Sequence, residues 1–213
     1  MDINLKGKQA IVCGSTQGIG RAIAEELAEL GASIVLVARN EDRLKETLEG
    51  LPSGDHQYIT ADFSNPKELK SKIEAFLTAG NRPEILINNT GGPAGGQIID
   101  EKYEKFSNTL TAHLECNHLL VQALVPGMKE KKYGRIINVI STSVKQPIPG
   151  LGVSNTVRGA VSSWAKTLSY ELAQFGITVN NVLPGFTNTK RLDYVIDSIS
   201  QKTGKSKEEV VAG

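Results

Sequence analysis

The sequence predicts an α/β chain on a doubly wound parallel sheet with helices on both faces, and three observations predict it. Short apolar runs alternate with helical patterns along most of the 213 residues, the sign of successive β-α-β units. A glycine-rich turn closes the first run and opens the first helix. The longest apolar run, residues 34–38, has the length of a buried strand and is far short of the roughly 20 residues that a membrane-spanning helix needs.

Taken in order, Gln9–Cys13 is the first strand candidate, and the helix after it repeats Ile19, Ile23, Leu27 and Leu30 at three and four residues before stopping at Gly31. Ser33–Ala38 and residues 57–61 are the next two strands. The stripe Leu69, Ile73, Phe76 and Leu77 marks a helix with Pro66 near its first turn, where a proline is best tolerated. Ile85–Asn88, residues 135–140 and residues 178–183 complete the strands. Two longer helices are expected over about 106–131 and 153–175. The second carries Val157, Val161, Trp164, Leu168 and Leu172, apolar around much of its circumference and so buried on more than one side. One side would cover the sheet and the other a symmetry mate, which predicts a homodimer or homotetramer through the two long helices. No repeat, low-complexity stretch or linker interrupts the pattern, so residues 1–213 read as one domain.

Composition narrows the partner. Twenty-four Lys+Arg against 23 Asp+Glu leave a net charge of +1, too small a field to hold nucleic acid or an anionic membrane. A small molecule is the expected ligand. Cys13 and Cys116 have no CxxC spacing and read as core filler, and the N-terminus lacks a secretory pattern, so a cytoplasmic chain is expected. His56, His113 and His118 share no face, and without a Cys/His cluster no metal site is expected.

The 21 glycines gather where a ligand would need them. Gly14-Ser15-Thr16-Gln17-Gly18-Ile19-Gly20 lies between the first strand and the first helix. There a pyrophosphate can meet unpaired backbone N–H groups and the positive end of the helix dipole. A tight strand-to-helix connection would use the same glycines, but the strand before and the helix after favour a dinucleotide. The loop from Asn88 and Asn89 through Thr90, Gly91, Gly92 and Pro93 to Gly96 follows the fourth strand and is a second site candidate by position.

The GxxxGxG spacing, with Asn88-Asn89-Thr90-Gly91 after the fourth strand, resembles the short-chain dehydrogenase/reductase family. In the same order come Asp62 after the third strand, Gly134-Arg135-Ile136-Ile137-Asn138 into the fifth, and Pro184-Gly185-Phe186-Thr187-Asn188-Thr189 after the sixth. The resemblance covers nearly the whole chain and implies a Rossmann-type fold. It implies cofactor contacts from the Gly14 to Gly20 turn, from Asp62 and Phe63 at the adenine, and from Asn89 and Gly91 at the riboses. Pro184, Gly185, Thr187 and Thr189 would meet the nicotinamide and phosphates. The second strand ends in Arg39 and not in the acid that binds the ribose of NAD. An arginine fork there can pair with a 2′-phosphate, so NADP(H) is favoured over NAD(H); a solvated loop arginine is the alternative.

The catalytic positions depart from the family. Its Ser falls on Ser141, its Tyr on Ser154, its Lys on Arg158 and its helical Asn on His113. The Ser-Asn-x-x-Arg pattern with Thr-Gly-Gly-Pro resembles a divergent branch of the family. An aliphatic hydroxyl is a far weaker acid than a phenol of pKa about 10, and Arg158 stays protonated, able to hold ribose hydroxyls but not to pass a proton. His113 is the nearby group with an ordinary pKa, about 6.5, suited to donation near neutrality; a packed, hydrogen-bonded histidine is the alternative. Ser143 and Lys145 are close enough in sequence to substitute for missing groups.

The expected activity is therefore an NADP(H)-dependent carbonyl or 3-oxoacyl reductase or alcohol dehydrogenase with a non-standard centre. The competing expectation is a catalytically silent dinucleotide-binding sensor or interaction protein on the same fold. Residues 145–152 and 190–213 would shape the substrate pocket but carry no diagnostic polar pattern. The family continues past a helix like that at 205–211 with another helix, a last strand and an Asp-Gly-Gly tail. The sequence reaches Gly213 without them, so a sheet lacking that last strand is expected.

Overall fold

The central apolar runs are strands buried on both faces, as a sheet covered by helices on either side requires. The computed structural model describes residues 3–204 and 206–212. Its strands are β1 (Gln9–Cys13), β2 (Ser33–Ala38), β3 (Gln57–Thr60), β4 (Ile85–Asn88), β5 (Gly134–Val139) and β6 (Ile177–Val182). They pair in parallel in the order β3-β2-β1-β4-β5-β6. The chain leaves β1 toward one edge for β2 and β3, then returns to place β4 on the other side of β1. That reversal opens a crevice beyond the carboxyl ends of β1 and β4, where ligands of doubly wound sheets bind.

Period-two alternation divides the core. Ala10, Val12, Ile34 and Leu36 face α1 (Gly18–Glu29) and α2 (Glu41–Glu49), where Ala24 and Leu44 are fully buried. Ile11, Cys13, Val35 and Leu86 face the opposite layer of α3 (Pro66–Thr78), α5 (Cys116–Glu130) and α6 (Gly152–Leu172), through Leu69, Ile73, Leu120 and Ala165. Helix α3 starts as the sequence predicts, with Pro66 in its first turn and the Asn65 side chain accepting from Glu68 N–H at 3.3 Å.

The differences from expectation are local. β3 stops one residue early, and β5 and β6 each begin and end one residue before the expected bounds. Helix α2 is additional, started by the Asn40 side chain accepting from Arg43 N–H at 2.9 Å. The expected helix over 106–131 is α4 (Tyr103–Leu110), a π-helical stretch Thr111–Glu115, and α5. The apolar residues of α6 face the chain's own core more than expected: Val157, Val161 and Leu172 are buried, and Trp164 and Leu168 pack partly buried against them. The last helices are α7 (Lys190–Thr203) and α8 (Lys207–Ala212). The latter overlaps the expected helix at 205–211, whose Lys205 lies outside the described residues, as does Gly213. No helix among the described residues is long and apolar enough to cross a membrane.

Two polar devices hold the sheet. Asn88, Asn138 and Asn181 stand in register on β4, β5 and β6. Asn88 Nδ2 donates to Asn138 Oδ1 at 2.9 Å, and Asn138 Nδ2 to Asn181 Oδ1 at 3.0 Å. At the opposite end of the strands, the Glu84 side chain is only 4% exposed and meets Lys131 Nζ at 2.9 Å and Lys8 Nζ at 3.4 Å. It also accepts from Gln9 N–H at 3.1 Å. Burial pushes this carboxyl up, but Lys131, the Gln9 N–H and Lys8 together outweigh burial and hold it below the ordinary glutamate value.

A lowered carboxyl contributes stability above its unfolded-state pKa, about 4.3, and that contribution is lost as pH falls through the folded value. Glu84→Gln should therefore lower stability by about 1–3 kcal/mol at pH 7, with the gap to wild type closing in thermal melts at pH 3. A gap independent of pH would mean that the ion pairs contribute nothing.

Candidate active site

A cleft of about 610 Å³ runs along the carboxyl ends of the strands. Gly14 follows β1 with φ +60, a conformation suited to glycine, and a Cβ there would come within 2.8 Å of Asn89. Helix α1 begins at this turn with no side-chain cap and no acid in its first turn, so its first N–H groups and positive dipole end are free to meet an anion. The residues present therefore fit a dinucleotide pyrophosphate.

Most of the expected cofactor residues line this one cleft. Gly14, Thr16, Gln17, Gly18 and Ile19 do so from the turn, Arg39 from the end of β2, and Asp62 and Phe63 from beyond β3. Asn89 and Gly91 line it after β4, and Pro184, Gly185, Thr187 and Thr189 after β6. Asp62 accepts from Ser64 N–H at 2.9 Å; that bond, aided by the Arg39 charge, holds its carboxyl below the usual range against partial burial. Asn89 spends its amide on the protein, with Nδ2 3.2 Å from the Cys13 carbonyl oxygen and 3.3 Å from that of Gly14.

Two residues of the turn do not line the cleft. Ser15 is fully buried, because its side chain points into the protein behind the turn. Gly20 lies where a Cβ would come within 2.2 Å of the Gly14 carbonyl oxygen and 2.6 Å of Asn89 Nδ2. Its lack of a side chain permits the close helix-to-strand approach.

Ser141, Ser154 and Arg158 come together on the cleft wall. Ser141 follows β5 and its Oγ accepts from Ser143 N–H at 3.0 Å. Arg158, on α6, donates from Nη1 to the Val139 carbonyl at 2.7 Å, which anchors the guanidinium against the end of β5. Neither Ser143, which is buried, nor Lys145, which is exposed, lines the cleft as a substitute.

The proton-donor expectation for His113 is corrected. His113 is 3% exposed and lies in the π-helical stretch. It faces a separate hollow across the Gly91 to Ala94 loop, beside Asn108 and Thr109. Its Nε2 is 3.1 Å from the Gly91 carbonyl oxygen, so that nitrogen donates. Burial first, then the Arg158 charge, push its pKa down to about 3, against the opposing effect of the Gly91 bond. The ring is neutral near pH 7 and positions the Gly91 loop.

The cleft also has an apolar lining of Ile148, Leu151, Phe186, Leu192 and Val195; all but Phe186 lie in the expected pocket segments 145–152 and 190–213, where the sequence did not single them out. The available signal was placement alone, since these residues follow the fifth and sixth strands at the carboxyl edge. Among the described residues no group of three or more His, Cys, Asp and Glu could hold a metal ion.

The profile of the family described as short chain dehydrogenase matches residues 8–198. D-beta-hydroxybutyrate dehydrogenase of Rhizobium meliloti is 31% identical over 208 residues, covering 96% of this chain and 81% of the relative. Inactive hydroxysteroid dehydrogenase-like protein 1 of Homo sapiens is 31% identical over 188 residues, covering 86% of this chain and 57% of the relative. The crystal structure of L-sorbose reductase from Gluconobacter frateurii, complexed with NADPH and L-sorbose, superposes with a TM-score of 0.89 at 31% identity, covering 98% of this chain and 81% of that one.

In an NMR titration the His113 ring signals should hold their neutral-form positions from pH 9 down to pH 5. An inflection near the ordinary value of about 6.5 would restore the proton-donor role. Because the folded value is lowered, the unfolded chain binds more protons between about 6.5 and about 3, so the stability that His113 contributes is lost as pH falls through that window.

Proposed function

Because the chain belongs to the short-chain dehydrogenase/reductase family, we propose that it is an NADP(H)-dependent reductase of ketones or aldehydes, reversible as an alcohol dehydrogenase, with a catalytic centre built without tyrosine or lysine. The observation that carries this reading is a single cleft lined at one end by the glycine turn and Arg39 and at the other by Ser141, Ser154 and Arg158. When bound, NADPH supplies a hydride to the carbonyl carbon. Ser141 holds the carbonyl oxygen with its hydroxyl, and Ser154 orients it from α6. Arg158 contributes a fixed positive charge that stabilises the developing alkoxide and holds ribose hydroxyls. The proton that completes the alcohol comes from water, since His113 is neutral and engaged with Gly91.

Arg39 supports the cofactor preference, because it stands at the end of β2 with no acid beside it in sequence to repel a 2′-phosphate. Self-association as a homodimer or homotetramer through α5 and α6, and a cytoplasmic location, belong to the same reading; Tyr170, 88% exposed on α6, supports the first. A second reading, dinucleotide binding without turnover, is favoured by the absence of tyrosine and lysine from the described lining of the cleft.

Fluorescence titration separates the cofactor claims. Arg39→Asp should weaken NADPH by about 1.5–3 kcal/mol and leave NADH nearly unchanged; equal losses would remove Arg39 from the 2′-phosphate site. With a panel of ketones and aldehydes, Ser154→Ala should reduce kcat about tenfold with little effect on cofactor binding, an effect of about 1.4 kcal/mol. Arg158→Ala should damage both. Tight NADPH binding with no oxidation by any carbonyl would favour the second reading.

A further inference from the structure

The cleft is divided by chemistry. Its charged described side chains are Arg39 and Asp62 at the ends of β2 and β3, and Arg158 beside Ser141. Beyond Ser141 and Ser154 the wall changes character: Ile148 and Leu151 come from the loop before α6, Phe186 from the loop after β6, and Leu192 and Val195 from α7. Phe186 is 74% exposed at this mouth, which leaves its ring open to an apolar ligand in the cleft.

The wall is also built firmly. Gly96 N–H donates to the Gly150 carbonyl at 2.7 Å, and Gly152 N–H to the Gly96 carbonyl at 3.2 Å, strapping the loop after β4 to the segment that carries Leu151. Ile98 then lies against Gly152, where a Cβ would come within 2.5 Å of it. Ile98 is itself 52% exposed. The segment carrying Leu151 is thus strapped to the loop after β4, and that part of the apolar wall is preformed.

From this we infer that the substrate is an uncharged ketone or aldehyde bearing a hydrocarbon chain, with its carbonyl at Ser141 and Ser154 and its chain along Leu151, Phe186, Leu192 and Val195. The inference rests on the oxidoreductase reading for the carbonyl end, and on the lining alone for the chain. A sugar-like polyol would set several hydroxyls against these apolar side chains without partners, which opposes binding.

Two measurements on the full chain test it. The first is kcat/KM with NADPH for the 2-alkanones from butanone to decanone. The second is the affinity of the matching 2-alkanols in the presence of NADPH, a pair that cannot react, read by calorimetry. Both should improve by about fourfold per added methylene. Phe186→Ala should flatten both series, lowering the longer-chain members most, and the exposed ring makes a folding defect no obstacle. Chain-dependent alkanol binding without any turnover would uphold the ligand class and sink the catalytic reading. A flat series with good turnover of L-sorbose or dihydroxyacetone would do the reverse.

Discussion

One side-chain amide joins the two strands on which the site depends. Asn89, just past β4, donates to the Cys13 and Gly14 carbonyls at the end of β1, closing the point where the strand order reverses. Asn89 stands 2.8 Å from any Cβ placed at Gly14, and its amide 2.6 Å from one at Gly20, behind the still nearer Gly14 carbonyl oxygen. The turn and the start of the first helix are therefore fitted closely around Asn89, which takes up space that a side chain at Gly14 or Gly20 would need. Removing its bonds would free two partly buried carbonyls and release the turn from the crevice.

The architecture was legible because its cause is periodic. Residues 10–13 and 34–37 alternate between two apolar layers, and no arrangement other than a sheet covered on both faces buries both sets. Helix α2 was hard to read by this route, since its apolar stripe is only Leu44 and, one turn on, the partly buried Leu48; Asn40, followed by Glu41 and Asp42, was the further signal available. The strand shifts of one residue arise at Gly134 and Ile177, where the chain enters the sheet immediately after a turn.

In the site, sequence position identified which residues are near one another but not which way they face. Ser15, Gly20 and His113 all fall at expected places in the chain, yet each turns from the cleft for a packing reason. For His113 the ordinary pKa suits proton donation, while burial and then the Arg158 charge hold the ring's value down to about 3. Arg158 shows the opposite case, because its contact with the Val139 carbonyl gives it a fixed place on the cleft wall where sequence position had put it.

The asparagine row across β4, β5 and β6 also bears on how the chain finds this arrangement. Parallel strands of similar apolar composition are nearly interchangeable to a hydrophobic core, so burial alone discriminates weakly among rival orders and registers. Asn88, Asn138 and Asn181 are different: each satisfies the next only when its own strand lies beside the correct neighbour in the correct alignment. An erroneous pairing would bury unmatched amides at about 1–3 kcal/mol each. The row thus proofreads the assembly of the carboxyl half of the sheet, and its influence is felt most by conformations that the finished protein never contains.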